Sequence, residues 1–168
     1  MPAVLHFRRQ LLGPPDVGDV PGFSVRNIAI PDDVAAWLAL RDRAMADQMP
    51  RIRTWTESDF FSEMQSKSWW RNERTWLAAE DETAAPVGAV TLALREGVDS
   101  TIPVVHWLLV DPASRRRGVG RLLMSHLELA AWSDGWREIE LETHAGWRDA
   151  VAFYYSMGYA PVRDRSPR

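Results

Sequence analysis

Arg115-Arg116-Arg117-Gly118-Val119-Gly120 is the segment whose residue types and spacing point most directly to chemistry. Two glycines separated by one residue sit where an apolar helical period begins. Several backbone N–H groups at such a helix mouth lack intrahelical partners, and glycines let an anion approach them closely. The chemistry implied is capture of a phosphate or pyrophosphate. A Walker loop would need Gly-x-x-x-x-Gly-Lys-Ser/Thr, and no such run exists. A dinucleotide fingerprint would need a third glycine where Leu123 stands, and too little chain follows Gly120 to complete that domain. A plain surface turn with solvated arginines stays open as an alternative. Lys67 is the only lysine, so 19 of the 20 basic residues are arginine and a cluster of them says little by itself.

The elements around this turn must place it between a strand and a helix. Thr101 to Val110 reads as a strand leading into it, and Val119, Leu122, Leu123, Met124, Leu127, Ala130 and Ala131 form a helical face ended by Gly135. Arg137 to Thr143 alternates as a strand, with Ile139 and Leu141 on one side and Glu138, Glu140 and Glu142 on the other. Upstream, Thr75 to Glu80 and Val87 to Arg95 are strands, with turns over Asp81–Pro86 and Glu96–Ser100 that imply an antiparallel meander. Asp149 to Met157 reads as a short helix and Tyr159 to Val162 as a last strand. Near the start, Val4–Leu11 and Phe23–Ile28 are short strands divided by a Pro/Gly/Asp-rich loop. Pro31, Asp32 and Asp33 open a helix on which Val34, Trp37, Leu38, Arg41 and Met45 recur at helical spacing. Thr56 and Asp59 resemble a capping box for a helix through about Lys67. The expected fold is a mixed, mostly antiparallel α/β sheet of about six or seven strands, flanked by about four helices, in a single domain.

Bulk properties narrow the function. The chain has 168 residues, 46% hydrophobic and 26% charged, an ordinary globular balance. A net charge of -3 gives no reason to expect nucleic acid as a partner. The absence of cysteine removes disulfides, thiolate metal sites and a thiol nucleophile together, and no metal is expected. Met1 to Leu12 has too short an apolar run for a signal peptide, and no stretch approaches a membrane span. A cytoplasmic protein without membrane association is expected, as monomer or homodimer.

Val110-Asp111-Pro112-Ala113-Ser114-Arg115-Arg116-Arg117-Gly118-Val119-Gly120 closely resembles the acetyl-CoA signature of the GNAT superfamily of N-acetyltransferases, a Val-x-Pro lead-in before Gln/Arg-x-x-Gly-x-Gly/Ala. Ala150-Val151-Ala152-Phe153-Tyr154, running into Met157-Gly158-Tyr159, resembles that family's second motif in the right order and spacing. The likeness is firm from about Trp76 to Val162. It implies a pyrophosphate cradle of Arg115, Arg116, Arg117, Gly118, Val119 and Gly120 with Arg121 beside it. It also implies a strand that splays from its neighbour, so that Leu108, Leu109 and Val110 offer backbone groups to the pantetheine arm. The N–H of Leu109 or Val110 would face the thioester oxygen. Tyr154 would donate a proton to the departing thiolate. Two departures stand out. Trp147 occupies a position where the family often has asparagine, and the family's usual last strand is absent, a slot that Val4–Leu11 is expected to fill.

His106 is the first candidate for a general base. Alternation along the strand places it on the face of Leu108 and Val110, and imidazole titrates near neutrality. Glu140 and Glu142 are fallback bases, and His144 a weaker one. The implied reaction is direct attack of a small-molecule or peptide amine on acetyl-CoA. Trp55, Trp69 and Trp70, with Asp59 or Glu63, are candidates to line the acceptor pocket, although packing explains the same residues. An acyl-CoA-binding module without catalysis is the alternative function, and a generic phosphate-binding domain a third.

Overall fold

The computed structural model describes residues 3–96 and 101–162. The turn expected over 96–100 lies, apart from Glu96, outside the described residues. Seven strands form one sheet: β1 (Val4–Gln10), β2 (Phe23–Asn27), β3 (Thr75–Glu80), β4 (Pro86–Glu96), β5 (Thr101–Val110), β6 (Glu138–His144) and β7 (Ala160–Pro161). Their spatial order is β2-β3-β4-β5-β6-β1-β7. Every pairing is antiparallel except β5 with β6, which are joined by the crossover helix α3 (Val119–Ser133). This is the mixed, mostly antiparallel sheet expected, with β5, α3 and β6 as its parallel unit.

Alternation on the central strands divides the core in two. Trp76, Ala78, Val90 and Leu92 face α3 and α4 (Arg148–Ser156), together with Leu123, Leu127, Ile139 and Leu141. Leu77, Ala89 and Leu109 face the other way, against Trp37 and Leu40 of α1 (Val34–Met45) and Phe60 of α2 (Glu57–Phe60). The capping box at Thr56 and Asp59 forms with both of its bonds. The helix it starts is shorter than expected, because after Phe60 the backbone widens into a π-turn over Phe61–Gln65. Asp33 does not serve as a first-turn charge on α1. Its carboxylate instead takes two bonds from Arg26 and the N–H of Ala29. Gly135 ends α3 at φ +92, with the N–H of Trp136 returning to the carbonyl of Ala131.

β1 lies between β6 and β7 and pairs antiparallel with both, as expected for the open slot; Phe7 stands opposite Leu141 on one side and Pro161 on the other. Its outward residues Arg8 and His6 meet Glu140 and Glu142 across the strand. From its inner side, Arg9 reaches the buried carboxylate of Glu128 on α3 with bonds of 2.7 and 2.9 Å, and the Tyr159 hydroxyl donates to the same group at 3.0 Å. Burial pushes the Glu128 carboxyl up, while Arg9 and the tyrosine hydrogen bond pull it back. Removing one member of such a pair leaves the other charge buried alone. Arg9→Met is therefore expected to lower unfolding free energy by about 3 kcal/mol, measured by denaturant titration, with Glu128→Gln milder. A loss below about 1 kcal/mol would show that solvent reaches Glu128.

Candidate active site

β5 bonds to β4 along its length but meets β6 in register only at Val104 and Glu140. Beyond that bridge the two strands part, and no further pairing of β5 with β6 forms among the described residues. A cavity of about 680 Å³ opens in this wedge, walled by Leu108 and Val110 from β5, Thr143 from β6 and Phe153 and Tyr154 from α4. Two of the three β5 residues expected to meet a pantetheine arm, Leu108 and Val110, line the wedge, whereas the Leu109 side chain packs away from it against α1.

One residue is inserted in β5 relative to β4. Thr91 lies opposite His106 and Ala89 opposite Leu109, so Trp107 and Leu108 together oppose Val90. Trp107 takes φ +48, a left-handed backbone rarely adopted by a bulky side chain. The bulge reverses the alternation behind it. Val110 faces Gly88 on the α3 side, whereas His106 faces Thr91 on the α1 side, against Trp69 with ring centroids 5.7 Å apart. The expectation that His106 shares a face with Leu108 and Val110 is thereby corrected. His106 still borders the cavity, because the wedge opens through the sheet.

Below the wedge, Pro112–Ser114 make a 3₁₀ turn whose cap is Asp111, accepting the N–H of Ala113. The chain then passes through Arg116 at φ +61 and Gly118 at φ +87. Gly118 caps α3 with no side-chain bond, so the first N–H groups of this 15-residue helix are left open toward the cavity. A Cβ on Gly120 would come within 3.3 Å of the Phe153 ring and 3.7 Å of the Val110 side chain. Glycine there keeps the cradle open. These features fit a diphosphate seated on backbone donors.

The arginines divide. Arg115 is spent on structure: its guanidinium bonds Asp47 at 2.7 Å and the Ala44 carbonyl at 2.7 Å, fastening the end of α1 to the turn. Arg115 in turn holds the Asp47 carboxyl below its ordinary range, as Arg43 does for Asp111. Arg117 points to Glu80 and lies over the Phe23 ring, outside the cavity. Arg116 has no ion pair among the described residues, and Arg121 hydrogen-bonds Ser156 and Met157. Both border the cavity. Asp47 was not singled out by sequence, since nothing in its local pattern marks an ion pair with a residue so far along the chain.

Tyr154 is buried from solvent yet lines the wedge, and burial pushes its phenol up so that it holds its proton. Trp147 also borders the cavity, with its indole N–H buried and unpartnered among the described residues. Burial pushes His106 down to about 4, with Lys67 adding a smaller push. Of the fallback bases, Glu140 and Glu142 both pair with Arg95, and the Nδ1 of His144 accepts the Gly146 N–H.

The acceptor-side residues scatter. Trp69 joins His106, Arg95 and Glu142 around a second cavity of about 230 Å³. Trp55 stacks on Trp37 at the edge of the α1-side core, and Trp70 is buried within it against Phe60. Asp59 is held by Arg53 and the Thr56 N–H, and Glu63 pairs with Lys67. Among the described residues, no group of three or more His, Asp and Glu is placed to hold a metal, and no helix is long and apolar enough to cross a membrane.

Comparison with known proteins agrees with this geometry. A mycothiol acetyltransferase of Thermobispora bispora is 31% identical over 163 residues, which is 94% of this chain and 53% of that protein. One from Nocardia farcinica is 30% identical over 94% of this chain and 52% of its own length. The chain spans about half the length of the curated relatives it matches. Among solved structures, a GCN5-related N-acetyltransferase from Sphaerobacter thermophilus superposes with a TM-score of 0.75 at 21% identity, covering 96% of this chain and 50% of that one. The ribosomal-protein-S18-alanine N-acetyltransferase of Escherichia coli gives 0.61 at 22%, covering 87% and 84%. These two share the fold. The model of the acetyltransferase (GNAT) family matches residues 37–159, and the chain belongs to that family.

Proposed function

We propose that the chain transfers an acetyl group from acetyl-CoA to a primary amine by direct attack within the wedge. The observation that carries this is the parting of β5 from β6 directly above an uncapped, glycine-opened helix mouth. An extended pantetheine arm fits the unpaired edge of β5, and its diphosphate fits the turn. Acetyl-CoA supplies an electrophilic thioester carbonyl and a thiolate leaving group.

The chain's own residues do the rest. Backbone N–H groups of Leu108 to Val110 orient and polarise the carbonyl, and the walls of the wedge exclude water. Arg116 and Arg121 add positive charge beside the turn. Tyr154 keeps its proton until sulfur needs it. His106 is neutral at physiological pH and offers a lone pair, but it is too weakly basic to strip an ammonium. Its fitting task is the far more acidic proton that nitrogen sheds as it is acylated, so the amine must arrive neutral.

The pH profile tests that division of labour. The folded value of His106 lies below the ordinary 6.5, so its proton uptake sets a limb of kcat/KM near pH 4. Any limb at higher pH should move with the pKa of the acceptor when two amines of different basicity are compared. A limb fixed near 6.5 for both, and lost in His106→Gln, would overturn the assignment.

Release of free CoA over an amine panel tests the function itself. The panel holds small amines, amino acids, peptide N-termini and the acceptor used by mycothiol acetyltransferases. Turnover with a matching N-acetyl product is expected for at least one member. Tight acetyl-CoA binding without turnover on any of them would favour a binding module instead.

A further inference from the structure

Arg41 is a buried cation that the reading of the active site leaves unused. It sits on α1 with 2% of its surface exposed, and no carboxylate pairs with it among the described residues. Its guanidinium packs against two indoles that meet edge to face, 4.2 Å from the centre of Trp55 and 4.4 Å from that of Trp107. One N–H bonds the Arg53 carbonyl at 3.1 Å, and its Nε has no partner among the described residues. Burial lowers its pKa from the ordinary arginine value. Stability alone does not account for it. A desolvated cation without a carboxylate is costly, and an apolar side chain of like volume fills such a space at less cost.

What a methionine could not do is cover both indoles of an edge-to-face pair with a rigid, charged plate. Arg41 thus ties its own helix α1 to two other segments: the 51–56 stretch ahead of α2, through Trp55 and Arg53, and the β5 bulge, through Trp107. Trp107 is the residue forced to φ +48 at that bulge, and its backbone starts the stretch Leu108 to Val110 that borders the wedge. Trp37 and Trp55 close round the same ring, at centroid separations of 6.4 and 5.2 Å.

We infer that Arg41 is a positioning residue for acyl transfer: by clamping Trp107 against Trp55 it sets the bulge, and through it the backbone donors of Leu108 to Val110. The inference rests on the acetyl-transfer reading above, and the experiment separates the two. Backbone amide shifts of Leu108, Leu109 and Val110 are followed by NMR on adding acetyl-CoA, for the native protein and for Arg41→Met. Kd for acetyl-CoA, Tm and kcat are measured alongside. Native protein that neither binds nor responds would remove the acetyl-CoA reading, and this inference with it. With native binding present, Arg41→Met is expected to keep Tm and Kd, lose the amide response, and drop kcat by about 10–100-fold, the cost of small misplacement of reacting groups. An unchanged amide response with kcat within about twofold of native would overturn the inference, because the groups would then still be in place. Arg41→Lys decides if the methionine variant does not fold. It keeps the charge without the plate, so kcat should fall while Kd holds, and an unaltered kcat again overturns the proposal.

Discussion

Tyr154→Phe is expected to lower kcat by about 10²–10⁴-fold while leaving acetyl-CoA affinity within about threefold of native, the loss typical of a general acid. The phenyl ring keeps its place in the core beside Phe153 and Tyr159, so the wedge keeps its shape. Only the proton donor goes. Because burial raises the phenol's pKa, the native residue stays protonated across the working pH range, and the defect should not be rescued by lowering pH within that range. Steady-state kinetics paired with calorimetry on acetyl-CoA checks both halves. Unchanged turnover at saturating substrate would count against the acid role, and a parallel loss of affinity would mean that the hydroxyl holds the ligand rather than the proton.

Gly120→Leu should act on the opposite quantity. The first carbon of any side chain there already lies 3.3 Å from the Phe153 ring, and the remainder must project into the cavity or displace that ring. Overpacking of this kind costs about 1–3 kcal/mol, so acetyl-CoA should bind about 10–100-fold more weakly. Gly120→Ala needs only a few tenths of an ångström from Phe153 and should lose much less. Calorimetric Kd values for the pair, with circular dichroism to confirm folding, make the test. Native-like affinity in the leucine variant would place the diphosphate elsewhere. Together the two variants separate holding the donor from completing the transfer.

Much of the frame was readable from residue order alone. β3 and β5 fall where alternation placed them, and Thr56 with Asp59 builds its cap, because each is governed by neighbours in sequence. The slot for β1 was also accessible, since the family resemblance left one strand position open and Val4–Leu11 otherwise unplaced. What escaped detection depends on registers and meetings that local pattern does not encode. A single inserted residue at Trp107 turned His106 to the other face of the sheet, and only the pairing of β5 with β4 reveals it. The arginine cluster likewise looked uniform. In the fold Arg115 serves Asp47 and Arg117 serves Glu80, partners 68 and 37 residues away, and of the four arginines Arg117 alone stands clear of the cavity. Trp55 and Trp70 follow the packing reading that residue type already offered, one stacked on Trp37 and the other set against Phe60.

The seat of β1 between β6 and β7 has a consequence for how the molecule is made. Phe7 must wait for Leu141, so about 130 residues are synthesised before the first strand has anything to pair with. At the usual 5–20 residues per second that interval is roughly 7–25 s, during which Phe7 is exposed on an unsatisfied edge. Closing so long a loop is also entropically slow, and the sheet gains its sixth and seventh members only at the end. Vectorial synthesis therefore leaves this chain's beginning for last, and the nascent strand is the segment on which a chaperone would have most to protect.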